Sequence, residues 1–268
     1  MSASGSPVLV TASMRFHGER RPVLVAATGD LPAAERELST RPTPDEAALA
    51  YALAAPAAVA ALQAHGWESL GPVPALLRPL RLSAVSGALP KLPLLAPFGR
   101  KRRAGVREIT DLPADVRLTR LWDRFSVDVG VALERTTKLF AWRIHDRAGK
   151  EYRVFIFEDG DRYAIRALCI FTAGGYVLEL LHDRSVTGMR AASHLLGLAL
   201  REMSDAGAES ARALSLPHSG SYPIFARHAF FGTRDARVLG VRPLDPAVED
   251  AVLARERWYV SYLDALDV

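Results

Sequence analysis

A chain of 268 residues with 49% apolar side chains is long enough to bury the core of one large domain or two ordinary ones. Its net charge of +4 comes mainly from dispersed arginines, and the one dense cluster, "RKRR" at Arg100 to Arg103, lacks interleaved aromatics or a docking motif, so no nucleic acid partner is expected. No window approaches the roughly 18 uninterrupted apolar residues of a membrane span, and "MSASGSPVLV" has neither the basic head nor the apolar stretch of a secretory signal, which places the protein in the cytoplasm.

In chain order, "PVLVTASMRF" and "RPVLVAAT" read as strands, residues 30–45 form an irregular segment with Pro32, Pro42 and Pro44, and "ALAYAL" is a third strand. A helix begins near Pro56, and "HGWESLG" and "LLRPL" close the first half. Between Leu70 and Gly105 the text is rich in Pro, Leu and basic residues without a sustained period, which marks a domain boundary. Its prolines would interrupt an amphipathic helix, so a linker is read at 83–105 in preference to a membrane-surface segment.

The second half opens on a strand at "GVREI" and a helix from about Pro113 with Leu118, Leu121, Trp122, Phe125 and Val129 on one face, then a helix at "TTKLFAWRIH". "YRVFIFE", the run from Tyr163 to Phe171, and "GYVLELLH" form an antiparallel meander, with turns at Asp159-Gly160 and Gly174-Gly175. The single Cys169, inside the apolar run "AIRALCIF", is a buried thiol and excludes an intrachain disulfide. A long helix from about Gly188 to Ala206 buries Met189, Ala192, Leu195, Leu196, Ala199, Leu200 and Met203. "ARALSLP" is a short strand, "SYPIFARHAF" a helix, and "RVLGVRPL" and "RWYVSYLDAL" two closing strands. The phrases "AHGWESLGPVPALLRPLRL" (64–82) and "RHAFFGTRDARVLGVRPLD" (227–245) would occupy the same place in two copies of one unit, where a helix ends and the chain turns into a strand.

That element order, with a helix running into a small residue and an aromatic ("AFF", Ala229 to Phe231; "GW", Gly66 and Trp67), resembles the GNAT superfamily of acyl-CoA N-acyltransferases. "ERTTKLFAWRIHD" and "RWYVSYLDALD" are similar to segments of tandem GNAT-like proteins found among bacterial polysaccharide-associated acyltransferases. The resemblance implies an α/β fold of two GNAT-like copies with mixed, mostly antiparallel sheets flanked by helices: a truncated, degenerate copy at 1–82, the linker, and a complete copy at 106–268. It implies acyl transfer from acetyl-CoA or another acyl-CoA to an amine acceptor, sugar-linked or amino-acid-like, without a metal.

The residues that would serve follow from the chemistry. Exposed amides at a helix start hold phosphates best. The superfamily's phosphate loop lies between its fourth strand and the next helix, where this chain reads "DRSVTGMRAAS". Leu181, His182, Arg184, Thr187, Gly188, Met189 and Arg190 are the candidates there, although Ser185 and Arg190 depart from the pattern's first and last places, and a glycine that merely starts a helix fits Gly188 equally well. Glu179, a carboxylate inside apolar "VLELL", is the candidate base, with His182 and Asp183 as alternatives. A structural Glu paired with an arginine such as Arg153 or Arg166 is the competing reading. The superfamily's proton-donating Tyr is replaced by Phe225, with Leu62 at the matching place of the first half, leaving Tyr222 or Ser221 to reach the sulfur. Trp142 and Arg143 either shape an acceptor pocket or pack in the core. The absent loop glycines and Tyr also support a second function, a catalytically inactive GNAT-like scaffold or ligand-binding protein.

Overall fold

The structure, a computed structural model, describes residues 9–16, 19–26, 47–87, 90, 92, 94, 103–109, 116–145, 152–160 and 164–265. The proline-containing segment at 30–45, Arg100 to Arg102 of the basic cluster and the expected helix start at Pro113 lie outside them.

The first half supplies strands β1 (Leu9–Phe16), β2 (Glu19–Ala26) and β3 (Leu49–Ala54), a short helix α1 (Val59–Ala64), and the long strand β4 (Glu68–Pro79). The second half supplies β5 (Val106–Ile109), α2 (Val116–Phe125), a short strand β6 (Val131–Leu133), and α3 (Thr137–Phe140), which runs on as a π-helical turn through Ala141–His145. Next come β7 (Tyr152–Asp159), β8 (Ala164–Thr172) and β9 (Tyr176–His182), then α4 (Val186–Asp205), β10 (Ser210–Leu214), α5 (Tyr222–Arg227), β11 (Phe231–Pro243) and α6 (Glu249–Leu253).

The eleven strands among the described residues join one sheet in the order β5-β7-β8-β9-β10-β4-β11-β3-β2-β1-β6. Pairing is antiparallel throughout except for β9 with β10 and β2 with β3. About the central β4–β11 pair the order is mirrored: β4 lies between β10 and β11, and β11 lies between β4 and β3.

The two similar phrases end their helices with the same hydrogen bonds. At the end of α1, Gly66 (φ +78°) follows His65, and Trp67 N donates to Leu62 O at 3.1 Å. At the end of α5, Ala229 (φ +56°) follows His228, and Phe230 N donates to Phe225 O at 3.1 Å. Each is a helix stop closed by one left-handed residue, which glycine adopts freely and alanine only under strain. The strands that follow, β4 and β11, then pair with each other.

Three sequence expectations need correction. Met189, expected on the buried side of the long helix, lies in its first turn and is exposed. "HGWESLG" from Glu68 on and "LLRPL" up to Pro79 belong to one continuous strand, β4. "RWYVSYLDAL" is not a sheet strand: apart from one bridge between Trp258 and Val131, residues 258–265 run as irregular chain beneath the sheet. Their backbone groups are met by side chains and by β9, so the extended pattern is satisfied without a ladder.

Two large cores flank the sheet. One packs α4 and α5, through Leu195, Leu196, Ala199 and Phe225, against Leu180 of β9 and Cys169 of β8. The other packs α2, α3 and residues 258–265, through Trp122, Phe125, Tyr259 and Leu263, against Leu178 and Leu181 of β9. No helix among the described residues is long and apolar enough to cross a membrane.

Candidate functional site

Strands β9 and β10 pair only at Arg212↔Tyr176 and Ala213↔Val177. From Leu178 onward β9 continues beside β8 while β10 diverges. The register with β8 shifts at the same point, from Phe171↔Val177 to Ile170↔Glu179, leaving Leu178 as an extra residue. Such a bulge bends a strand and redirects its side chains. The result is a splayed gap in the sheet with the start of α4 at its open end.

On one face, residues 258–265 lie across this gap. Leu263 N donates to Leu178 O at 3.0 Å. Beside it, Arg135 donates through Nε to Glu179 Oε2 at 2.6 Å and through Nη1 and Nη2 to the two carboxylate oxygens of Asp264 at 2.9 and 2.8 Å. Glu179 accepts four hydrogen bonds, from Arg135 Nε, Tyr259 OH, Ser261 Oγ and Leu180 N. The Arg135 guanidinium also stands 5.3 and 5.2 Å from the ring centres of Trp122 and Tyr259. The side chains of Arg135 and Glu179 are fully buried. Burial pushes the Glu179 carboxyl up from the ordinary range; Arg135 opposes this and Asp264 adds to it. Burial disfavours the Arg135 cation, but Asp264 and Glu179 outweigh it and hold the guanidinium charged.

At the open end, β9 finishes in His182, Asp183 and Arg184. His182 Nε2 donates to Gly220 O at 3.1 Å, and Nδ1 accepts from Arg184 N at 3.1 Å, which fixes the neutral tautomer. Burial lowers its pKa, with the Gly220 carbonyl opposing and Arg184 contributing. Arg184 has left-handed backbone (φ +64°). Its guanidinium donates to Phe125 O at 2.8 Å and to Asp128, and lies 5.0 Å from the Phe125 ring centre. It also covers Gly220, where an added Cβ would stand 2.7 Å from it. His182 and Arg184 therefore bridge the mouth to the loop that precedes α5.

The start of α4 is built around Asp183. Ser185 is the N-cap, with Oγ accepting from Gly188 N at 2.9 Å. Asp183 accepts from Ser185 N, Ser185 Oγ and Arg166 Nη1. Burial pushes its pKa up, but Ser185 and Arg166 outweigh it and hold it below the usual range. A Cβ on Gly188 would lie 2.1 Å from Asp183 Oδ1, so the glycine is needed for this packing. Val186, Thr187, Met189 and Arg190 are exposed at the mouth.

The expected site residues thus divide. Leu181 is core, and Glu179 belongs to the buried network. Neither Arg153 nor Arg166 is its partner: Arg153 pairs with Glu108 and Glu202, and Arg166 with Asp159 and Asp183. His182, Arg184, Thr187, Gly188, Met189 and Arg190 come together at the mouth, facing the loop that leads to Ser221 and Tyr222. Ser221 is buried with Oγ 3.0 Å from Ser219 Oγ, and Tyr222, half-buried, opens α5. Trp142 and Arg143 lie elsewhere. Arg143 is buried, donates to Leu263 O and Ala265 O at 2.6 and 2.9 Å, and stacks 4.7 Å from the Trp142 ring centre. Trp142 lines a separate cavity of about 700 Å³ with Glu134 and Lys138.

Arg135, Ser261 and Asp264 are the residues that the sequence reading did not assign. The signal existed: Arg135 and Asp264 sit in the two phrases that carried the tandem resemblance, and Glu179 was an unexplained charge in an apolar strand.

No family model matches the chain, and no curated protein matches its sequence. Solved structures do. The N-myristoyltransferase of Saccharomyces cerevisiae with bound myristoyl-CoA superposes with a TM-score of 0.57 at 12% identity over 87% of this chain and 65% of that one. A conserved protein from Enterococcus faecalis V583, described as a probable N-acyltransferase, gives 0.55 at 15% identity over 88% and 58%. A GCN5-related N-acetyltransferase from Anabaena variabilis ATCC 29413 gives 0.54 at 12% identity over 88% and 59%. The chain spans less than two thirds of each of these proteins. The chain shares the fold of these structures, one of them a GCN5-related N-acetyltransferase, the fold that the resemblance implied.

Proposed function

We propose that this protein transfers an acyl group from an acyl-CoA to an amine acceptor, with two GNAT-like copies, 1–82 and 106–268, joined by the linker at 83–105 and exchanging their last strands at the centre of the sheet. The observation that carries this reading is the splay of β9 from β10 after two residue pairs, with the exposed start of α4 at its open end. Oriented amides and the helix dipole favour a diphosphate there, and Arg190 adds a cation. Binding of myristoyl-CoA by the yeast N-myristoyltransferase of similar fold supports acyl-CoA as the donor. The thioester would lie along β9, where backbone amides beyond the bulge polarise its carbonyl and the amine attacks directly. Tyr222 or Ser221, at the start of α5, would return a proton to the departing thiolate. A cytoplasmic location belongs to the same reading.

In this arrangement Glu179 serves the fold instead of the proton transfer. All four of its hydrogen-bond contacts are within the protein, so the acceptor amine would arrive unprotonated or lose its proton to a water at the gap. The same observation favours a second reading, a binding protein that takes an acyl-CoA without transferring from it, since His182 and Asp183 are also fully engaged. Calorimetric titration with acetyl-CoA and with longer acyl-CoAs tests both. Saturable binding of one of them, followed by thiol release when an amine is added, is the expected result. Binding without thiol release supports the second reading, and failure of every acyl-CoA to bind overturns both.

A further inference from the structure

A second feature of the splay lies on the face of the sheet away from α4. A pocket of about 310 Å³, within the size range of small-molecule sites, opens where β9, β10, β4 and β11 meet. Its floor is aromatic: Tyr176, the first residue of β9, stands edge-on to Tyr262 with ring centres 5.4 Å apart. Arg212 of β10 lies 5.8 Å from the centre of the Tyr176 ring and donates from Nη1 to its hydroxyl at 3.2 Å. Its rim comes from an irregularity in β11. Gly232 pairs with Leu76 and Ala236 with Pro74, so Thr233, Arg234 and Asp235 together oppose Ala75 alone. The Thr233 hydroxyl donates to Ala75 O at 3.1 Å and ties this bulge to β4. Arg234, Asp235 and Arg237 line the pocket from it.

Charge decides what such a pocket takes. Arg212, Arg234 and Arg237 face it against the single carboxylate of Asp235. Among the described residues neither Arg212 nor Arg234 is in a salt bridge, so their cations are available to a ligand. Arginine forks match carboxylate and phosphate oxygens, and the stacked Tyr176 holds one of them in place. The position decides what the ligand is for. Tyr176 is two residues, about 6–7 Å along the strand, from the bulged Leu178, and Tyr262 precedes the Leu263 amide that bonds Leu178 O. A molecule seated here lies at the closed end of the gap, where Tyr176 and Arg212 still pair, beside residues 258–265 and on the face opposite the mouth at α4, which leaves the donor's path clear.

We propose that this pocket receives the acceptor through an anionic group, a carboxylate or phosphate monoester, held by Arg212 and Arg234 while its amine points toward the gap. The assignment of the ligand as acceptor rests on the acyl-transfer reading; the assignment of the anion site does not. The test is calorimetry on the full chain at constant ionic strength with three probes: phosphoethanolamine, γ-aminobutyrate, and ethanolamine, which carries the amine but no anion. One of the two anionic probes saturates and ethanolamine does not. Tighter binding of phosphoethanolamine identifies a phosphate handle and tighter γ-aminobutyrate a carboxylate. R212A/R234A weakens the anion by about tenfold or more, and R212K/R234K, which keeps both charges but loses the fork and the stacking on Tyr176, recovers only part of the loss. Equal binding of ethanolamine, no binding of either anion, or no effect of R212A/R234A overturns the site. A separate acyl-CoA titration keeps the two readings apart. Acyl-CoA binding without anion binding overturns this pocket alone, whereas anion binding without acyl-CoA binding upholds the anion site and overturns its use for an acceptor.

Discussion

The two faces of β9 are held by different physics. Toward α4 the strand presents Val177 and Leu180 to Leu195, Leu196 and Ala199, an apolar contact that gains from area removed from water and is indifferent to pH. Toward residues 258–265 it presents Glu179 to Arg135, Tyr259, Ser261 and, through Arg135, Asp264. Apolar packing tolerates local imperfection, and a buried ionic cluster does not. It holds because one guanidinium is shared between two carboxylates, and what it contributes is a fixed path for the chain across the gap.

Removing that guanidinium has the largest expected effect. Arg135→Met keeps volume but leaves Glu179 and Asp264 buried together without a cation, and breaking a buried pair from one side costs about 3–5 kcal/mol. Urea unfolding at neutral pH measures it. A loss below about 1 kcal/mol would mean that residues 258–265 are held by their apolar contacts and by Arg143 without need of the ionic cluster, and the contrast between the faces would fail.

Leu195→Ala tests the opposite face. Leu195 is fully buried against the sheet, and truncation costs about 2–5 kcal/mol depending on how far the cavity collapses. Its deficit should be the same at pH 5 and pH 8, since Leu195 packs within an apolar cluster. A pH-dependent deficit would show that the two faces are coupled through β9.

These contrasts bear on what the sequence could tell. The meander, the long apolar stripe of the helix after β9, and the matching helix stops at Gly66 and Ala229 were legible because periodicity and turn chemistry act over a few residues. The Arg135–Glu179–Asp264 cluster was not, because its members lie 44 and 129 residues apart and only the folded sheet brings them together. Residues 258–265 carry a strand-like pattern, yet their backbone partners are Arg143 and Leu178, which no local pattern reveals. Gly188 stood in the sequence for a phosphate loop or a helix start, and its close approach is to Asp183. The site was legible as a place, the turn after β9, and not as a set of roles.

Asp183→Asn probes the mouth with a smaller effect. The charged form is stabilised by Ser185 and Arg166, so its native pKa lies below the unfolded value. Its stabilisation is therefore complete above the ordinary Asp range near 3.9 and is lost as pH falls through the native value. The variant should lose about 1–3 kcal/mol at pH 7, and the difference from the parent should shrink on acidification below about pH 4. A difference that stays constant down to pH 2 would place the cost in altered packing of α4 instead of in the charge.

Glu179→Gln is expected to cost least at neutral pH, and its sign with pH is opposite. The cluster holds two carboxylates and one cation, so a neutral amide removes the excess negative charge even as it disturbs the hydrogen bonds from Tyr259 and Ser261. The two changes offset one another to within about 1 kcal/mol, far less than the loss from Arg135→Met. Because burial raises the native Glu179 pKa above its unfolded value, the parent binds the extra proton when folded. Its stability is highest below the ordinary Glu range near 4.3 and declines as pH rises from there to the native pKa. The variant lacks this decline, so the parent's stability relative to Glu179→Gln should fall as pH is raised from about 4. Parallel unfolding curves for the two proteins across that range would mean that Glu179 is ionised at every pH, with Arg135 outweighing both its burial and Asp264.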